Sequence, residues 1–184
     1  MKKQFPFTIQ NATGETIMLH GIKNEAGGEK LYAENYVEPK AGSPMHVHKL
    51  QDECFIVVKG TIGYQIAGEE EQFATCGETV LFKRGVPHKF WNAGDDILHC
   101  SAWVQPANTF AYFIDKVFDA QNKAGSKQPQ LFDAVYLLTK YGAEYDILDI
   151  PWPVKKFIFP IVYVTGKLMG RYKHFDDAPA AVKA

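Results

Sequence analysis

The hydrophobic period of this chain changes once, at Pro106, and that change limits what the chain can fold into. From residue 5 to about 105, short stretches rich in β-branched and aromatic residues are punctuated by Gly, Asn and Asp. This is the pattern of short strands joined by tight turns. Strands are expected over 5–10, 16–22, 30–38, 53–59, 61–67, 79–83, 88–92 and 97–105. The breaks fall at 24–28, 42–44, Gly60, Gly68, Gly77, Gly85 and Gly94, where residues take positive φ or bond their own backbone. Strands of this number and spacing suggest a closed barrel or a jelly roll.

Beyond Pro106 the period lengthens. Phe110, Phe113, Ile114, Val117 and Phe118 fall at i, i+3, i+4, i+7 and i+8, one apolar stripe of a helix. Asn108 stands where an N-cap would. A polar link over 121–128 leads to Pro129 and a second helix carrying Leu131, Ala134, Val135 and Leu138, which Gly142 is placed to end. Pro151, Pro153 and Pro160 deny the next stretch a single regular helix, and it is expected to lie over another surface. The chain therefore reads as a β domain over 1–105 and a helical and irregular extension over 106–184, packed on the barrel or on a partner.

Composition narrows the function. In 184 residues, 46% apolar and 22% charged side chains are enough for a packed core. The 20 basic and 21 acidic residues leave no net attraction to nucleic acid, and no basic helix-turn-helix is evident. Cys54, Cys76 and Cys100 are odd in number and share no CxxC spacing, so reduced thiols are expected. No signal-peptide-length apolar segment follows Met1, and a cytoplasmic location is expected. The longest uncharged apolar run, 157–164, is broken by Pro160 and falls far short of the roughly 20 residues of a spanning helix. Between 150 and 174, Lys155, Lys156, Lys167, Arg171 and Lys173 are interleaved with aromatic residues and no acidic one. Such a segment wraps the barrel, contacts a second copy, or rests on a membrane surface.

The chemistry is concentrated in Gly42-x3-His46-x-His48-x4-Glu53-x6-Gly60, followed by Gly77-x7-Gly85-x2-His88-x3-Asn92. On an extended strand His46 and His48 leave the same face, which lets two imidazoles reach one cation from a barrel wall. Glu53 returns from the next strand, and His88 begins a further strand after the Gly85–Pro87 turn. Three imidazole nitrogens and one carboxylate oxygen suit a single divalent Fe, Mn, Ni, Zn or Cu ion, with positions left for water or substrate where coordination exceeds four. Alternation carries Phe55 and Val57 inward with Glu53, and Phe90 and Asn92 inward with His88. Tyr64 and His99 complete a candidate substrate pocket, largely apolar, suited to a small organic ligand whose oxygens chelate the metal. His99 reads either as a pocket acid or base or as a structural histidine, and Asn92 either as a turn residue or as a pocket partner. Cys54 faces opposite to Glu53.

Together these two segments resemble the paired motifs of the cupin superfamily, over roughly residues 30–105. Gly42 stands three residues before His46 where the family usually has five, and Lys83 stands where a Pro is usual; all four ligand positions are present. The resemblance implies an all-β double-stranded β-helix, the cupin jelly-roll barrel, here with a C-terminal α-helical extension, and it favours a homodimer. It further implies a metal-dependent enzyme of dioxygenase or isomerase type acting on a small oxygen-bearing substrate, in which Glu53 stays a ligand or releases to take a proton. The alternative is a non-catalytic module that binds or senses a metal or a metabolite.

Overall fold

A computed structural model of the chain describes residues 3–182. Eleven strands are present among them: β1 (Phe7–Gln10), β2 (Glu15–Glu25), β3 (Gly28–Val37), β4 (His46–His48), β5 (Asp52–Lys59), β6 (Thr61–Ile66), β7 (Gln72–Thr75), β8 (Thr79–Phe82), β9 (His88–Asn92), β10 (Leu98–Gln105) and β11 (Tyr145–Ile147). They form two antiparallel sheets, ordered β1-β2-β3-β10-β5-β8 and β11-β4-β9-β6-β7, which close on each other as a jelly-roll barrel. Three helices follow β10: α1 (Phe110–Ala124), α2 (Leu131–Lys140) and, after β11, α3 (Phe159–Leu168). No helix of the described residues is long and apolar enough to cross a membrane.

Alternation explains the larger sheet. Leu31, Ala33, Asn35 and Val37 of β3, and Leu98, Cys100, Ala102 and Val104 of β10, are buried, while the residues between them are partly exposed. The inward face serves two cores. Val37, Phe55, Val57, Ile62, Phe82 and Leu98 fill the barrel, whereas Ile17, Leu31 and Val104 pack against Phe110, Phe113 and Leu137 of the helices. Gly63 has no side chain because the Trp91 indole, opposite it on β9, lies over it; a Cβ there would collide with the ring.

The extension is bound into the barrel. β11 pairs with β4, setting Tyr145 opposite His48 and Ile147 opposite His46. Beside it Glu144 is wholly buried and accepts hydrogen bonds from Gln51 Nε2 at 2.6 Å and Thr109 Oγ1 at 2.7 Å. A carboxylate out of water needs such donors, because leaving it bare costs several kcal/mol, of order 2–7 even for a neutral polar group. Asp133 of α2 plays a similar part, bridging Lys123 of α1 at 2.9 Å and His174 at 3.0 Å.

Several local expectations need correction. Asn108 does not cap α1: its φ is 40°, Thr109 occupies the cap position, and no side chain bonds the first turn. Gly142 lies beyond Tyr141, which ends α2; the left-handed terminating glycine is Gly125, with φ 61°, at the end of α1. The proline-interrupted stretch forms a π-helical turn, Val154–Ile158, running into α3 with Pro160 in its first turn. A proline clashes with the carbonyl four residues back and lacks an N–H, and the wider turn ahead of it accommodates both.

Candidate metal centre

Three strands deliver the four expected ligands. β4 carries His46 and His48, β5 carries Glu53 near its start, and His88 opens β9 directly opposite His46. The approach to β4 lies flat on β9: Gly42 bridges to Trp91, Ser43 Oγ accepts from the Phe90 N–H at 3.1 Å, and a Cβ at Gly42 would strike the Phe90 carbonyl. From the other side, the Gly85 N–H donates to the His48 carbonyl at 2.7 Å, tying the turn before β9 to β4.

These constraints bring one ligand atom each from His46, His48, Glu53 and His88 to within 4.8 Å of one another. His48, Glu53 and His88 are buried. Aromatic rings hold the imidazoles: Phe82 stacks on His88 at 3.9 Å, and Phe110 and Tyr145 each lie 5.5 Å from the His48 ring.

The hydrogen bonds show what the cluster is built to hold. His46 Nδ1 lies 2.9 Å from the Pro44 carbonyl and His88 Nδ1 lies 2.9 Å from the Val86 carbonyl. A carbonyl only accepts, so in both rings Nδ1 carries a proton and Nε2 is aimed away from that bond. His88 Nε2 nevertheless faces Glu53 Oε2 at 3.0 Å, and His48 Nε2 is 3.9 Å from the same oxygen. Two ring nitrogens and a carboxylate oxygen turned toward one another in this way are held together by a shared cation or proton. Burial, followed by the neighbouring imidazoles of His48 and His88, pushes the His46 pKa down to about 3, and burial pushes that of His48 down as well, which leaves neutral, ligating rings. Burial alone would raise the Glu53 carboxyl, but His48, His88 and His46 together hold it at about 2. The residues fit a divalent transition ion.

The cluster opens on a cavity of about 570 Å³, a volume typical of small-molecule sites. Phe55 and Phe90 line it as alternation implies, together with Ala102, Val104, Phe110 and Phe113. The other candidate pocket residues are placed elsewhere. Val57 is inward but lies in the barrel core, away from the cavity wall. The Tyr64 hydroxyl bonds Gln72 at 2.9 Å. Asn92, the last residue of β9, is buried and its side chain organises the turn that follows: its amide donates to the Val37 and Asp96 carbonyls, and its oxygen accepts from the Gly94 N–H. His99 faces out of the barrel, stacked on Tyr36 at 4.4 Å. Cys54 is buried but does not line the cavity, and burial pushes its thiol up to about 11.

Among the cavity residues that escaped sequence reasoning is a hydrogen-bonded polar pair. Glu15 of β2 and Asn35 of β3 are diagonal neighbours on the inward face, both buried, with Asn35 Nδ2 donating to Glu15 Oε1 at 3.0 Å. Asn35 Oδ1 is buried without a partner among the described residues. Burial, only partly offset by the Asn35 hydrogen bond, raises the Glu15 pKa to about 7, and Glu53 adds to the rise. The only available signal was a polar residue at an inward position of each of two adjacent strands.

Residues 35–104 match the family model for the cupin domain. The oxidoreductase iacF of Pestalotiopsis fici is 31% identical over 87 residues, which are 46% of this chain and 42% of that protein, so the match spans less than half of the relative's length. Among solved structures, a Klebsiella pneumoniae protein with a double-stranded beta-helix domain is 18% identical with TM-score 0.45, the likeness covering 52% of this chain and 79% of that one. KdgF from Halomonas sp. is 15% identical with TM-score 0.43, covering 50% of this chain and 80% of that one.

Proposed function

The barrel belongs to the cupin superfamily, and from that premise we propose that the chain is a metal-dependent enzyme acting on a small oxygen-bearing organic substrate. One observation carries the reading: three imidazoles and a carboxylate converge within 4.8 Å on the wall of a largely apolar cavity. A bound Fe, Mn, Ni, Zn or Cu ion would supply Lewis-acid polarisation of a substrate oxygen or, for the redox-active metals, dioxygen chemistry. The Nε2 atoms of His46 and His88 are aimed by their Nδ1–H bonds, and Glu53 serves as a ligand or releases to take a proton. Phe55, Phe90 and Phe110 keep water from the substrate body. At the polar wall, Asn35 Oδ1 accepts from a substrate hydroxyl or N–H, and Glu15 in its neutral form offers an O–H. The name of the Pestalotiopsis fici relative supports the oxidative branch over isomerisation.

The test is elemental analysis of protein purified without chelator, beside a His48→Ala variant. Wild type should carry close to one transition ion per chain, and the variant should lose most of it with unchanged circular dichroism. Wild-type protein that takes up no ion offered to it, or a variant that keeps the full complement, refutes the assignment.

A further inference from the structure

Helix α3 carries apolar side chains on two opposite faces, with Thr165 and Lys167 between them. Its inner side packs on α2 and the tail: Tyr163 stacks on Tyr136, and Gly166 lies under Tyr172 and Phe132, where a Cβ would collide. Its outer side is bare. Phe157 at the end of the π turn, then Ile161, Val164 and Leu168, fall at i, i+4, i+7 and i+11, and are 58, 64, 55 and 84% exposed. Trp152, 62% exposed, extends the stripe at one end and Met169, 55% exposed, at the other. An apolar helix face is ordinarily covered, and an exposed apolar patch of this kind marks an interaction surface.

The charge around the stripe indicates what covers it. Lys156, Lys167, Arg171 and Lys173 are exposed on the same segment, and no acidic residue occurs from 151 to 174. Lys156 Nζ sits 4.5 Å from the Trp152 ring and 5.5 Å from that of Phe157, so cation and aromatic surface are presented together. Lys155 is committed elsewhere, to Asp146 at 2.6 Å. The whole chain carries a formal charge of −1, so positive charge is concentrated on this face while the other segments together are net negative. A second copy docking here would set these cations against their own kind, which is unfavourable. An apolar stripe flanked by Lys and Arg with an aromatic end fits the boundary between anionic headgroups and acyl chains.

We propose that the outer face of the π turn and α3 docks the protein on an anionic lipid surface, with Phe157, Ile161, Val164 and Leu168 entering the interface and Lys156, Lys167 and Arg171 meeting the headgroups. The test is co-sedimentation of the full chain with phosphatidylcholine vesicles containing about a quarter phosphatidylserine, a composition giving the negative surface potential such segments recognise. Binding should be at least tenfold tighter than to pure phosphatidylcholine and should weaken with salt. The Leu168→Glu variant and the Lys156→Glu/Lys167→Glu double variant should each lose binding by tenfold or more while melting like wild type, since these side chains face solvent. Wild-type protein that pellets with neither vesicle overturns the proposal. So does a chain that is dimeric by light scattering and becomes monomeric on Leu168→Glu, because that result assigns the face to a second copy. Retained binding in both variants also overturns it.

Discussion

Replacing Glu15 by Gln removes one ionisable proton from the wall of the cavity and leaves the shape of the site almost unchanged. In the folded protein the Glu15 carboxyl titrates near 7 because it is buried, against an ordinary value of 4.5. A group whose folded pKa is raised contributes stability below its unfolded pKa and loses it as pH rises through the folded one. The unfolded chain releases this proton near pH 4.5, whereas the native state holds it to about 7, so wild type is progressively penalised across that window. At 1.36 kcal/mol per pH unit the penalty reaches about 3 kcal/mol by pH 8. Gln keeps an oxygen to accept from Asn35 and has nothing to ionise. Urea denaturation of metal-free wild type and Glu15→Gln, in chelator, should therefore give stability curves that separate by about 3 kcal/mol between pH 4.5 and 8, with the variant gaining at high pH. The other titrating groups are common to both proteins and cancel in the difference, apart from Glu53, whose charge is coupled to that of Glu15. Parallel curves across that range would show that Glu15 ionises freely and is not held in the apolar wall.

Three further outcomes follow from the packing. Glu144→Ala strands the buried donors of Gln51 and Thr109 and should cost about 3 kcal/mol by chemical denaturation, with weaker metal retention because Tyr145 then braces His48 less well. Gly63→Ala forces a Cβ into the Trp91 indole and should cost about 1–3 kcal/mol; an unchanged melting temperature would contradict the packing of that ring. Truncation after Pro106 removes α1 and β11 and bares Ile17, Leu31 and Val104, so gel filtration should show aggregates, and a soluble monomeric fragment would refute the claim that the extension completes the core.

Much of the barrel is legible because a half-buried strand alternates, and Leu31 to Val37 or Leu98 to Val104 alternate cleanly. The ligand set is legible because His46 and His48 are two apart on one strand. What escaped was set by distant partners. β4 is three residues long and hemmed by Pro44, β7 follows a run of three glutamates, and β11 has no alternation of its own; each exists because another strand lies beside it. The pocket was overdrawn for a related reason. Alternation reports which face a side chain takes but not how far along the barrel it lies, so Val57 shares a face with Glu53 yet falls below the cavity. Glu15 and Asn35 meet only through the register of β2 on β3, and neither spacing nor residue type announces it.

The pairing of β11 with β4 also has a bearing on biosynthesis. About a hundred residues separate the strand that carries His46 and His48 from the one that closes its far side, a stretch a ribosome takes roughly 5–20 s to add. Until then the nascent barrel holds β4 from the β9 side alone, with its other edge open to any passing strand. Although all four clustered side chains lie between residues 46 and 88, β4 gains its second neighbour only once β11 has emerged.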